Sequence, residues 1–185
     1  MISSKAKLVI TSCGLAVLFA AMVLISDRDH ETLELVHAGI ETRFPTVSHI
    51  SGDQLALSAD KQPYVIFDVR EPEEYAVSHI EGAIRVDPSI SPDRFLKAYG
   101  EQMEGRPVVF YCSVGMRSSI LADAVQESLR KQGATDVFNL EGGLFAWHND
   151  GRALVSLDGR QPTEFIHPFD SYWGQLIERQ SLIKD

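Results

Sequence analysis

The chain has 185 residues, 44% of them apolar and 23% charged, with a formal net charge of −9. That length suits one domain of ordinary size plus extensions, and the apolar share excludes a wholly disordered chain. The acidic balance argues against a nucleic-acid partner, which needs a basic face. The two cysteines, Cys13 and Cys112, make neither a disulfide framework nor a metal cluster.

Residues 1–26 read as an N-terminal signal anchor. Lys5 and Lys7 precede an uncharged run over 8–25, which Asp27, Arg28 and Asp29 close. The run is near the roughly 20 residues that a membrane span needs. It exceeds the apolar core of a cleaved signal, about 7–15 residues, and no clean Ala-x-Ala site follows it. A cleaved signal peptide is the alternative. Lysines on the N-terminal flank favour an N-terminus inside. The expectation is one transmembrane helix with the domain extracytoplasmic, on the periplasmic side of the inner membrane if the source is bacterial.

Residues 27–45 read as a juxtamembrane helix, with Leu33, Leu35, Val36, Ile40 and Phe44 at near-helical spacing and Pro45 ending it. It would dock on the domain or the membrane surface, or act as a spacer or dimer contact. A domain is expected over 46–155. Its first strand spans 46–50, and Ser51 or Asp53 caps a short helix. Tyr64-Val65-Ile66-Phe67 is a continuous apolar run, as in a central parallel strand buried on both faces. It ends in Asp68-Val69-Arg70, polar groups at the carboxyl end of a strand, where open α/β sheets place their sites. Glu71-Pro72-Glu73-Glu74 starts a helix with acids in its first turn. A short strand over 83–86 follows, and then a helix capped by Ser91.

Val108-Val109-Phe110-Tyr111 is a second buried strand, and Cys112 stands at its end. A loop with one glycine leads to Ser118 and Ser119, candidate N-caps of a helix opened by Ile120. A thiol at such a turn faces backbone N–H groups at the positive end of a helix, a place that stabilises an anion. The layout points to a cysteine nucleophile; an inert core cysteine is the other reading. That helix ends near Arg130, Lys131 and Gly133. A strand over 137–140 and a helix from Leu144 complete the alternation, which implies a parallel sheet covered on both faces. Residues 156–185 read as a linker and a short amphipathic helix carrying Trp173, Leu176 and Ile177. It would pack on the domain, a protein partner or a membrane.

Cys112-Ser113-Val114-Gly115-Met116-Arg117-Ser118 resembles the active-site loop of single-domain rhodaneses, the sulfurtransferases. Two flanking motifs carry the resemblance further. One runs from Ile66-Phe67-Asp68-Val69-Arg70 to His79-Ile80-Glu81-Gly82-Ala83, with Ser78 and Glu81 where the family usually has glycine and often proline. The other is Asn139-Leu140-Glu141-Gly142-Gly143 with Trp147. The resemblance implies a rhodanese-like open parallel β-sheet flanked by helices. It also implies that Cys112 takes sulfane sulfur from a donor such as thiosulfate. The sulfur would then pass from a persulfide to cyanide or a thiol, with no metal or other cofactor. Ser113, Val114, Gly115, Met116, Arg117 and Ser118 would bind substrate. Their amides would hold the anionic sulfur, and Arg117 would attract the donor or pair with a carboxylate to brace the loop. Ser118 would bond the sulfur or cap the helix. Asp68, Arg70 and His79 would support the loop, with Glu71 and Glu81 as scaffold. Two rivals stay open. A thiol phosphatase or arsenate reductase spaces its cysteine and arginine one residue further apart. A non-catalytic rhodanese-like module would bind a protein through its cleft or tail.

Overall fold

A computed structural model describes residues 32–58, 64–156 and 161–184. The expected anchor at 1–26 lies outside them, as do the turn at 60–63 and Asp158-Gly159. Among the described residues no helix is long and apolar enough to cross a membrane.

The fold is α/β. Helix α1 (Leu33–Arg43) leads to strand β1 (Ser48–Ile50) and helix α2 (Gly52–Ser58). Strand β2 (Val65–Asp68), helix α3 (Pro72–Val77), strand β3 (Ile84–Arg85) and helix α4 (Pro92–Tyr99) follow. Strand β4 (Val108–Tyr111), helix α5 (Met116–Lys131), strand β5 (Val137–Leu140) and helix α6 (Gly143–Asn149) complete the alternation. The five strands pair in the order β1-β5-β4-β2-β3, every neighbour parallel. Strand β4 is central, in register with β2 from Val65↔Val108 to Asp68↔Tyr111. Its four residues are all buried, which a strand with helices on both faces requires.

Successive side chains on β4 point to opposite faces, and each face has its own core. Val108 and Phe110 join Phe67, Phe95 of α4 and Val125 and Leu129 of α5. The Phe67 ring lies 4.9 Å from Phe95 and 5.3 Å from Phe110, and such pairs contribute roughly 0.5–1.5 kcal/mol beyond burial. Val109 and Tyr111 face Val36 and Ile40 of α1, Leu144 and Phe145 of α6, and Ile166 and Ile177 of the tail. Both flanks of 46–155 therefore contribute to the core, and the compact unit runs from Leu33 onward.

Local signals set several boundaries as expected. The Ser91 hydroxyl accepts the Arg94 N–H ahead of Pro92, and Gly133 closes α5 with φ 97°. Others moved. The first strand is shorter than 46–50, because Thr46 turns outward to bond the Asp123 carboxylate at 2.7 Å. Helix α5 begins at Met116 with Gly115 as its N-cap, so Ser118 and Ser119 lie inside the helix, not at its cap. Antiparallel strands β6 (Leu154–Ser156) and β7 (Gln161–Thr163) straddle the expected boundary between domain and linker, and buried Leu154 and Val155 anchor the first.

The tail helix is replaced by two 3₁₀ turns, Trp173–Leu176 and Gln180–Leu182. Tertiary bonds take the groups an α-helix would use. The Asn149 side chain donates to Leu176 O at 2.9 Å and accepts the Glu178 N–H at 3.0 Å. Gly174 sits where an added Cβ would lie 2.8 Å from the Pro168 side chain.

Candidate active site

The parallel sheet delivers the end of β4, the end of β2 and the turn after β5 to one edge. Cys112 follows β4 directly and is 1% exposed, so its chemistry is confined to the cavity above it. Its Sγ accepts the Gly115 N–H at 3.2 Å. This amide opens a 16-residue helix, whose partial positive charge favours an anion there. Gly115 has φ 103°, a left-handed conformation, and an added Cβ would lie 3.1 Å from the Asn139 amide nitrogen. Glycine meets both demands.

A second glycine supports the loop from behind. Cys112 O and Ser113 O accept the N–H groups of Leu144 and Phe145 at 2.9 and 3.0 Å. The loop carbonyls thus satisfy donors left unpaired at the start of α6. A Cβ on Gly143 would fall 2.5 Å from Cys112 O, and its φ is 59°.

Glu74 of α3 holds the front of the loop. Its buried carboxylate accepts Arg117 Nη1 at 2.7 Å, Arg117 Nη2 at 2.8 Å and the Ser113 hydroxyl at 2.7 Å. It also accepts the Glu71 N–H at 3.0 Å. Burial alone would raise Glu74, but the bonds and charge of Arg117, with the Ser113 hydroxyl, hold it below the usual carboxylate range. Burial would likewise lower Arg117, yet its bonds to Glu74 and the nearby Cys112 sulfur leave it raised. Arg117 is thus paired with a buried carboxylate.

Asp68 and Arg70 brace Tyr111, the residue before Cys112. Arg70 donates to Asp68 at 2.9 and 2.6 Å and to Ser78 O at 2.6 Å. Tyr111 donates its hydroxyl to Asp68 at 2.6 Å and accepts the Ile80 N–H. Burial opposes the Arg70 charge, and Asp68 more than offsets it. His79 stacks on Tyr75 at 3.7 Å and bonds Tyr75 O through Nδ1. Its backbone pairs with Val155.

The cavity over Cys112 measures about 150 Å³. The loop supplies Cys112, Ser113, Val114, Met116 and Arg117, and the tail supplies Phe169 and Trp173. Arg117 lies over the Phe169 ring, 4.7 Å from its centroid. Ser118 is fully buried away from this lining, and its hydroxyl has no hydrogen-bond partner among the described residues. Among the candidates, the structure brings Cys112, Ser113, Val114, Met116 and Arg117 to the cavity and Gly115 to the sulfur. Asp68, Arg70 and His79 stand one layer back. Sequence reasoning missed Glu74, Phe169 and Trp173. Glu74 reads as an ordinary first-turn acid, and the tail signalled only an aromatic surface in need of something to pack on.

A family model described as the rhodanese-like domain matches residues 51–150. The chain is 30% identical over 100 residues to thiosulfate sulfurtransferase GlpE of Shewanella oneidensis, covering 54% of this chain and 91% of that one. It is also 30% identical over 133 residues to tRNA uridine(34) hydroxylase of Shouchella clausii, covering 70% of this chain but only 40% of the hydroxylase. Among solved structures, thiosulfate sulfurtransferase from Pseudomonas aeruginosa shares the fold. Its TM-score is 0.50 at 21% identity, over 68% of this chain and 23% of that one. The matched span takes in more than half of the sequence and all three motifs around the Cys112 loop, and the protein belongs to the rhodanese-like domain family.

Proposed function

We propose that the protein is a sulfurtransferase that carries sulfane sulfur as a persulfide on Cys112. The observation that carries this reading is the Cys112 sulfur itself. It lies at the floor of a small cavity, at the N-terminus of α5, with the Gly115 N–H on it at 3.2 Å. Preorganised dipoles of this kind stabilise charge without rearranging during the reaction.

With thiosulfate as the simplest donor, the Cys112 thiolate attacks the outer sulfur. The donor S–S bond breaks, its electron pair leaves with sulfite, and a new S–S bond forms on Cys112. The acceptor then attacks the outer sulfur of the persulfide and the thiolate leaves. Cyanide yields thiocyanate, and a thiol yields an organic persulfide. A thiolate and a good leaving group need little proton transfer, so no general base is required. Arg117 is a positioning residue here: its pair with Glu74 holds Ser113 and the loop in shape. The short spacing from Cys112 to Arg117 favours sulfur over a tetrahedral oxyanion. The presence of Cys112 favours transfer over a purely binding module.

The test is sulfur transfer from thiosulfate to cyanide by the full chain, with intact-mass analysis after donor alone. One added sulfur atom, absent in Cys112→Ser, supports the reading. Turnover of a phosphate ester with none of any sulfane-sulfur donor would reverse it. From the sequence we further propose that residues 1–26 anchor the chain in a membrane with the domain extracytoplasmic.

A further inference from the structure

The wall of the Cys112 cavity is mostly apolar. Val114 and Met116 come from the loop, and Phe169 and Trp173 come from a tail outside the span the family model matches. Arg117 is the single cation among the described residues of that lining, and Glu74 holds it at two points, 2.7 and 2.8 Å. Opposite charges this close cancel most of the field that would draw in a small dianion. The volume, about 150 Å³, is that of an apolar cavity known to accept a benzene-sized group.

The aromatic side of the wall is held in place. Phe169 has φ 68°, the one left-handed non-glycine residue among those described. Such a conformation persists only where its surroundings impose it, and two side chains do so here. The Phe169 N–H bonds His167 Nδ1 at 3.0 Å, and the Asp170 carboxylate accepts the N–H groups of Tyr172 and Trp173 at 2.9 Å. The Arg117 guanidinium lies over the ring of Phe169, a residue left 44% exposed.

We propose that Phe169 and Trp173 set donor specificity, so that the site selects sulfane-sulfur donors of at most one negative charge and an apolar organic body over dianionic thiosulfate. This rests on Cys112 as the sulfur carrier. With an organic persulfide R–S–SH, the thiolate takes the outer sulfur with its proton, and the electron pair of the broken S–S bond leaves as R–S⁻. With a thiosulfonate R–SO₂–S⁻ the same bond exchange releases the sulfinate R–SO₂⁻. Neither needs an oxidant or reductant.

Thiosulfate, methanethiosulfonate and benzenethiosulfonate form a graded probe set: the second removes one charge, and the third adds a ring. Turnover by the full chain is measured with cyanide as acceptor. Wild type is expected to show kcat/KM for benzenethiosulfonate at least about tenfold above thiosulfate, with methanethiosulfonate between them. Phe169→Ala and Trp173→Ala are expected to lower the benzene-to-methane ratio about tenfold. Phe169→Leu, which keeps an apolar side chain, should retain most of it. Comparing ratios between variants cancels the intrinsic reactivity of the donors. A wild type that prefers thiosulfate overturns the proposal, as does a ratio that stays put or variants that lower all three donors together. No transfer from any donor, and no sulfur added to Cys112 by mass, overturns the carrier reading beneath it.

Discussion

Glu74→Gln keeps the shape of the side chain and removes its charge. In the wild type that carboxylate accepts two bonds from Arg117 and one each from Ser113 and Glu71. Breaking a buried ion pair costs about 3–5 kcal/mol. Arg117 keeps 22% side-chain exposure and regains some hydration, and the amide still offers one acceptor. The expected loss is therefore about 2–3 kcal/mol. With a urea slope of about 2 kcal/mol per molar, the unfolding midpoint should fall by about 1 M. Arg117→Gln should cost a similar amount, and the double variant should lose at least about 1 kcal/mol less than the sum of the two. The pH dependence has a definite sign. Glu74 is held below its ordinary value, so in the acid range the unfolded chain binds the extra proton. The contribution is full above about pH 4.3 and is lost as pH falls through the folded value. The gap between wild type and Glu74→Gln should close in that window. A loss under about 0.5 kcal/mol, or additivity within about 0.5 kcal/mol, would refute the claim that this pair braces the loop.

Gly143→Ala places a methyl 2.5 Å from Cys112 O at φ 59°. It should cost at least about 2 kcal/mol and lower sulfur transfer more than a remote variant of equal stability; normal activity would show that the loop does not rest on α6. Tyr111→Phe removes the hydroxyl shared by Asp68 and the Ile80 N–H and should cost about 1–3 kcal/mol in urea unfolding, whereas a neutral result would mean Asp68 is satisfied by Arg70 alone. Burial lowers His49, His79 and His148. The unfolded chain thus takes up protons first, and the urea midpoint should drop as pH falls below about 6.5; a flat midpoint there contradicts this. An export-dependent reporter joined behind the chain should be active, and activity of a cytoplasm-dependent reporter instead would reverse the proposed orientation.

The sheet and the cysteine at its edge were legible because their signals are local. Four apolar residues in a row, a thiol at a strand end, a proline after a serine and a glycine after a basic last turn act within a few residues. Each keeps its meaning wherever the segment lands. The bracing of the loop was not legible in this way. Glu74 and Arg117 are 43 positions apart, and nothing near either residue names the other. Ser118 looked like a cap by residue type. Gly115 took the place because the loop needs a left-handed turn beside Asn139, a demand set by a strand far along the chain.

The amino-acid order alone therefore determined that a thiol stands at the end of β4 and which helices and strands surround it. Tertiary structure decided what closes the cavity. A tail that reads as an amphipathic helix became two 3₁₀ turns because Asn149 captured the backbone groups that helix would have used. The same tail brings Phe169 and Trp173 to the cavity that Cys112 lines. Local propensity is worth tenths of a kcal/mol per residue, and a buried hydrogen bond or a filled core position outweighs it.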